Sequence, residues 1–210
     1  MFRYKKISAI FLCTVFSIAT CLGQANKPFL KDVPVPYRGT LPYYYRNKSK
    51  VEEKMGLRSI ENGFDSIQVR IWYGYGRTDS SQLVVLTKTQ AGWKSIFYNF
   101  KYYIDDIKRK IDSIGIQKEF RTPKSGWQSF SSNLFGLSIT TLPDNTSLRY
   151  YPDYADGSDI IIEVATKTYY RIYHYTEPHL SFGKIKQADK IESILKLIRD
   201  EFDFRQKHSI

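Results

Sequence analysis

Two residues of a predicted hairpin have the chemistry of an acid–base pair. Glu163 lies in the apolar segment Asp159–Thr166, and His174 lies in the aromatic segment Tyr169–Thr176. A carboxylate and an imidazole within hydrogen-bonding distance can transfer protons in general acid–base catalysis. The surrounding sequence offers no nucleophile at a recognisable turn, so we favour a structural role for both residues over a catalytic one.

The length of the turn between these two strands decides whether the acid and the histidine share a face. With an even number of turn residues, Glu163 lies on the same face of the sheet as Ile172 and His174. With an odd number, Glu163 lies beside Arg171 or Tyr173, where an ordinary cross-strand ion pair or hydrogen bond would form. The sequence leaves both arrangements open.

Acidic residues before the same hairpin resemble a calcium loop. Asp153, Asp156 and Asp159 stand in one short segment around Gly157, and calcium binds clustered carboxylate oxygens. Their spacing of three differs from the alternate positions of an EF-hand loop, and Asp and Gly are common in turns. We therefore expect an ordinary turn, with these three residues as weak metal candidates, and predict no cofactor.

The tyrosines are the compositional oddity of this chain, which has 17 of them. Tyr170, Arg171 and Tyr173 are candidate binding residues, because exposed rings beside a cation can stack on sugar faces or on bases. A second cluster surrounds Lys101 in another strand and consists of Tyr98, Tyr102 and Tyr103. We favour the simpler interpretation, in which both strands pack their rings under a helix.

The N-terminus is typical of an export signal. Arg3, Lys5 and Lys6 precede an uncharged apolar run from Ile7 to Ala19, which is shorter than the roughly 20 residues of a transmembrane helix. We expect cleavage after residue 23, which would leave a periplasmic, cell-surface or secreted protein. The alternative is a lipoprotein, anchored through a lipid on Cys21.

Loss of this signal changes the chemistry that remains. Removal of residues 1–23 takes away three of the 32 basic and none of the 21 acidic residues, so the net charge falls from +11 to +8. Both cysteines, Cys13 and Cys21, also lie there, which excludes disulfides and thiol nucleophiles downstream. The basic residues form no long stripe, so we expect no nucleic acid partner. An anionic envelope polymer, a glycan or another envelope protein remains as the expected partner.

Apolar periodicity predicts the elements that must position these residues. A period of two predicts strands, and a period of three to four predicts two amphipathic helices over residues 125–137 and about 184–202. The predicted strands cover residues 67–73, 83–87, 96–104, 114–120, 159–166 and 169–176. This order is typical of an α+β fold. We predict a curved antiparallel sheet of about five strands, with both helices packed on one face and the other partly solvated.

The chain divides into four regions by composition. Residues 1–23 are the signal peptide, and residues 24–60 form a proline- and tyrosine-rich N-terminal arm or linker. Residues 61–204 form a single α+β domain, followed by a tail at residues 205–210.

Seven short motifs stand out along the chain: Gly23-Gln24, Ile71-Trp72-Tyr73, Thr122-Pro123-Lys124-Ser125-Gly126-Trp127, Thr141-Leu142-Pro143, Asp156-Gly157, Glu163-Val164-Ala165-Thr166 and Tyr170-Arg171-Ile172-Tyr173. Together they resemble the motifs of a group of exported Bacteroidetes-type proteins with no assigned activity. The resemblance covers roughly residues 64–202 and implies a bacterial envelope setting, and it transfers no functional residue.

The functional hypothesis is a non-enzymatic binding module that works outside the cytoplasm. The alternative is a hydrolase-type enzyme that uses Glu163 and His174 with carboxylates of the 153–159 loop. A pocket in which these groups converge would favour the enzyme.

Overall fold

The structure, a computed structural model, describes residues 28–34, 43–74, 80–105, 110–154 and 157–204. Within these ranges it is an α+β fold of seven strands and three α-helices. The strands are β1 (Leu30–Asp32), β2 (Ile67–Tyr73), β3 (Ser80–Thr89), β4 (Gly92–Asp105), β5 (Lys110–Arg121), β6 (Asp159–Thr166) and β7 (Tyr169–Thr176). The helices are α1 (Tyr43–Lys54), α2 (Trp127–Gly136) and α3 (Lys186–Phe202).

All seven strands belong to one mixed sheet in the order β1-β7-β6-β2-β3-β4-β5. The predicted α+β class is confirmed, and the sheet is larger than the five or so antiparallel strands expected. One difference is β1, which pairs parallel with β7 and comes from the predicted arm. The other pairings are antiparallel. A three-residue edge strand carries too few residues for periodicity to reveal it.

One face of the sheet, called here the first face, packs against α2 and α3. Phe130 and Leu134 of α2 and Ile191, Ile198 and Phe202 of α3 are buried in this core. Their spacing of four or seven residues places them on one side of each helix. This arrangement confirms the predicted pair of helices.

The opposite face, called here the second face, packs against α1. Val51 and Met55 of α1 lie in a second core with Trp72, Leu83 and Ile161. The prediction of a partly solvated second face with two helices in total is wrong for this part of the sheet. Because both of its faces are covered, β2 is buried along almost its whole length.

Two predicted segments cannot be compared with the fold. The signal peptide at residues 1–23 and the tail at residues 205–210 lie outside the described residues. Among the described residues, no helix combines the length and the apolar character that a membrane span requires.

Candidate functional site

The hairpin that carries Glu163 and His174 has an even turn. Ala165 pairs with Tyr170, and Glu163 pairs with Ile172, so Lys167 and Thr168 form a two-residue turn. Glu163 and His174 therefore share the second face, as the even-turn alternative predicts.

Glu163 is fully buried under α1. Lys48 of α1 places its Nζ 3.0 Å from Glu163 Oε1. Trp72 Nε1 donates to Glu163 Oε2 at 2.7 Å, and the Tyr170 hydroxyl donates to Oε1 at 2.9 Å. Both carboxylate oxygens are thus engaged by protein donors, and no solvent reaches them.

The same lysine joins two further carboxylates. Lys48 Nζ lies 3.1 Å from Glu52 Oε1 and 3.2 Å from Glu61 Oε1. Glu52 also accepts from the Arg70 guanidinium. Arg70 pairs with Glu163 across β2 and β6. We call these five residues, Lys48, Glu52, Glu61, Arg70 and Glu163, the buried ion network.

Two further nitrogens of Arg70 also donate hydrogen bonds within the fold. Its Nε donates to Gln68 Oε1 at 2.9 Å, and its Nη2 donates to the Arg58 carbonyl at 2.6 Å. Gln68 in turn donates to Thr87 Oγ1 at 3.0 Å. A buried charge is tolerated when paired and hydrogen-bonded in this way. The network ties α1 to the sheet and presents no open reactive group.

The pKa values in the network follow from burial and charge. Burial opposes the charged form of Glu163, but Lys48 and Arg70 outweigh it and lower the pKa of this carboxyl. Burial also opposes the charged form of Lys48, yet the nearby carboxylates raise the pKa of its ammonium. Glu52 differs, because burial and the negative charge of Glu163 raise the pKa of its carboxyl. Glu163 is therefore held ionised, as a structural ion pair requires.

His174 has a different carboxylate partner from the one considered in the sequence. Its Nδ1 lies 2.8 Å from Asp144 Oδ2, and its backbone N–H donates to the same oxygen at 2.9 Å. Burial opposes the charged form of Asp144, but its bonds to His174 lower the pKa of the carboxyl. Glu163 and His174 thus share a face, and each is engaged by other residues.

Two of the three acidic residues proposed as weak metal ligands lie in the described part of the chain. Asp159 is buried and accepts from the Thr176 hydroxyl at 2.5 Å. Asp153 is exposed, and Asp156 lies outside the described residues. Among the residues that the structure describes, no group of three His, Cys, Asp or Glu side chains could hold a metal ion.

The candidate binding residues of β7 lie inside the fold. Tyr170 and Tyr173 are buried, and the Tyr173 hydroxyl donates to the Ile139 carbonyl at 2.7 Å. Arg171 donates to the Thr140 carbonyl at 3.1 Å and pairs with Asp32 of β1. Because these side chains hold neighbouring segments against β7, they do not form an exposed binding surface.

An open groove lies where the helices of the first face end. Phe204, just after α3, packs on Tyr73 and Phe97 with ring centroids 5.4 Å and 4.9 Å apart. Beyond them the exposed face of β3, β4 and β5 turns polar, and a groove of about 470 Å³ opens. Its volume lies within the roughly 300–1,000 Å³ of small-ligand pockets.

Three side-chain amides form a row across this groove. Gln82 pairs with Asn99 across β3 and β4, and Asn99 pairs with Gln117 across β4 and β5. Gln82 Nε2 donates to Asn99 Oδ1 at 2.7 Å. We call Gln82, Asn99 and Gln117 the amide row.

One hydroxyl in the groove wall has no hydrogen-bond partner. Tyr73 lines the groove and is 3% exposed, and its hydroxyl is unpaired in the part of the chain that the structure describes. Burial raises the pKa of this hydroxyl, which keeps it protonated. An unsatisfied buried polar group costs about 1–3 kcal/mol, so this hydroxyl lowers the stability of the groove wall.

One feature of the sequence indicates where this groove lies. Along the first-face side of β4, Phe97 is followed by Asn99, Lys101 and Tyr103. The change from apolar to polar within one face marks the end of the helix-covered core. The sequence does not show that Asn99 lies beside Gln82 and Gln117, because this depends on the register of three strands.

Comparison with known protein families finds no family model that matches this chain, and comparison with curated proteins finds no similar sequence.

Proposed function

We propose that this protein is an exported, non-enzymatic module that binds a small polar ligand in the groove of β3, β4 and β5. The observation that carries the proposal is the open groove lined by the amide row, Lys101 and Tyr103. The export signal in residues 1–23 supports a setting outside the cytoplasm.

The lining of the groove favours binding over hydrolysis. Its described residues include no Asp, Glu, His or Cys, so the carboxylate–imidazole pairs and thiols that are common in hydrolases are missing from this lining. Glu163 and His174, the acid–base candidates of the sequence, are engaged elsewhere and do not line it. Ser80, Ser81 and Lys101 do line it, and we assign them a hydrogen-bonding role beside the amides.

A binding screen with a groove-filling variant tests the proposal. Protein produced from the full-length chain is screened by thermal shift against neutral oligosaccharides, acidic oligosaccharides and short peptides. We expect at least one class to raise the melting temperature, because ligand binding stabilises the folded state by RT ln(1 + [L]/Kd). Gln117→Trp should abolish this shift, since the bulky ring would fill the groove.

Lys118→Trp is the matched control. Lys118 is the next residue of β5, is also exposed, and points to the opposite face of the sheet. The same large side chain at this position should leave binding unchanged. Absence of a shift with all three classes, or equal loss in both variants, would contradict the proposal. Chemical conversion of a panel compound that is lost in a Glu163→Gln variant, shown by thermal unfolding to be folded at the assay temperature, would favour the hydrolase alternative.

Mass spectrometry of the recovered protein tests whether it is exported. A mass that corresponds to a chain starting at Gln24, or at a lipid-bearing Cys21, supports export. Retention of residues 1–23 in the recovered protein would contradict it.

A further inference from the structure

The groove combines a row of amides, an exposed aromatic ring and a cation. Lys101 and Tyr103 of β4 lie in its lining with the amide row. Tyr103 is 52% exposed. Each of these groups recognises a different part of one kind of ligand.

The amide row suits a ligand with adjacent hydroxyl groups. A side-chain amide carries two donors and an acceptor, and a hydroxyl both donates and accepts. Neighbouring strands place successive amides about 5 Å apart. Gln82 occupies the oxygen of Asn99, and the Asn99 nitrogen has no protein partner within the described ranges, so it is available as a donor.

Tyr103 offers an apolar surface next to the amides. Its ring lies against Gly115 of β5, where an added Cβ would come within 3.3 Å of Tyr103 Cε2 and 3.6 Å of its hydroxyl oxygen. Glycine at this position therefore leaves space for the ring to lie on the strand. A flat aromatic ring held in this way can pack on the C–H face of a sugar.

The charge of the groove favours an anion. Among its described lining residues, Lys101 is the charged one, and no carboxylate is present. The positive charge of Arg199 also acts on Tyr73 in the wall. A cation without a neighbouring acid attracts a carboxylate. One lysine is too few for a nucleic acid backbone, which requires a coherent basic surface.

We propose that the groove binds an acidic saccharide. A sugar ring packs on Tyr103, its hydroxyl groups bond to the amide row, and its carboxylate pairs with Lys101. This assignment rests on the proposed function, because it names the ligand of the same groove.

Calorimetric titration with trigalacturonate and with its methyl ester tests the ligand class. The two probes share a backbone and differ in charge. We expect the acid to bind at least tenfold more tightly than the ester at low salt, and added salt should reduce the difference. Lys101→Met should remove the difference between the probes, whereas Lys94→Met, an exposed lysine of the same strand outside the groove lining, should not.

Two tyrosine variants test the site. Tyr103→Ala should weaken trigalacturonate binding at least tenfold, and Tyr150→Ala, which removes another exposed ring, should not change it. Tyr73→Phe should not lower the urea midpoint of the free protein, because the hydroxyl it removes is buried and unpaired.

The outcomes separate this assignment from the proposed function. Binding of trigalacturonate that survives both Lys101→Met and Tyr103→Ala would overturn the assignment. If neither saccharide binds, but another ligand class of the screen binds and Gln117→Trp abolishes that binding, the ligand class is wrong and the proposed function stands. If no ligand class binds, both are wrong.

Discussion

Replacement of Lys48 by methionine should strongly destabilise the fold. The change keeps the apolar stem and removes an ammonium that lies 3.0–3.2 Å from carboxylate oxygens of Glu52, Glu61 and Glu163. Glu52 and Glu163 are 1% and 0% exposed, so both stay buried with Arg70 as their remaining cation. Loss of one partner from a buried pair costs about 3–5 kcal/mol.

The expected loss of stability of Lys48→Met at pH 7 lies at the lower end of this range. Trp72 and Tyr170 still donate hydrogen bonds to Glu163 after the lysine is lost. These retained bonds reduce the cost of leaving the Glu163 carboxylate buried without its lysine, because a hydrogen bond to a charged group contributes about 1.5–3 kcal/mol. We therefore expect the free energy of unfolding to fall by about 3 kcal/mol.

The effect of Lys48→Met should grow with pH. In the wild type, the pKa of Glu163 is below its ordinary value of 4.5, so the stability it contributes is present above pH 4.5 and is lost as pH falls through the lower folded value. In the variant, Arg70 and the bond from Trp72 still oppose the effect of burial, but Lys48 does not, so the pKa of Glu163 is higher than in the wild type. Ionisation of Glu163 then contributes less stability as pH rises than it does in the wild type.

Urea unfolding followed by tryptophan fluorescence measures this difference at pH 4.5, 5.5 and 7. Lys196→Met is the control, because it breaks an ion pair whose lysine and aspartate are both exposed, and its urea midpoint should not change. A loss below about 1 kcal/mol at pH 7, or a loss that is the same at all three pH values, would refute the reasoning.

Two further predictions concern single contacts. Asp144→Ala should cost about 2 kcal/mol at pH 7, because it removes the acceptor of His174. The pKa of Asp144 is lowered from 3.8, so this contribution is present above pH 3.8 and is lost as pH falls through the folded value. Thermal unfolding should therefore show a smaller penalty at pH 2 than at pH 7. Gly63→Ala should cost more than about 1 kcal/mol, because φ is +97° and a Cβ would lie 2.9 Å from the Thr166 carbonyl oxygen. Gly56→Ala, at φ +65° with no atom within 4 Å, should lose less in the same chemical denaturation; equal losses would contradict the steric explanation.

Much of the sheet could be predicted from local pattern. Alternation in residues 67–73 predicts β2, and the aromatic and apolar segments around Lys167 predict the β6–β7 hairpin, because burial of one face repeats every two residues. The apolar stripe of residues 184–202 likewise predicts α3. The polar N-terminal helix α1 is not predicted by pattern, since a segment rich in Tyr, Lys and Glu carries no apolar stripe of ordinary width.

The candidate groove could be predicted only in fragments. Lys101 and Tyr103 were noticed as a cation beside an aromatic ring, which is a local feature of β4. The amide row could not be recognised, because Gln82, Asn99 and Gln117 come together through strand register. The unpaired Tyr73 hydroxyl depends on packing against Phe204.

The sequence by itself determined the α+β class, the β6–β7 hairpin, the two helices of the first face and the presence of a short apolar N-terminal run. These follow from periodicity and composition, which act between residues close in the chain. The tertiary structure alone decided the partners of Glu163 and His174. Glu163 contacts Lys48 and His174 contacts Asp144, and both partners are distant in sequence. Burial and charge pairing are set by the whole fold, and they decide whether a reactive side chain is available for chemistry.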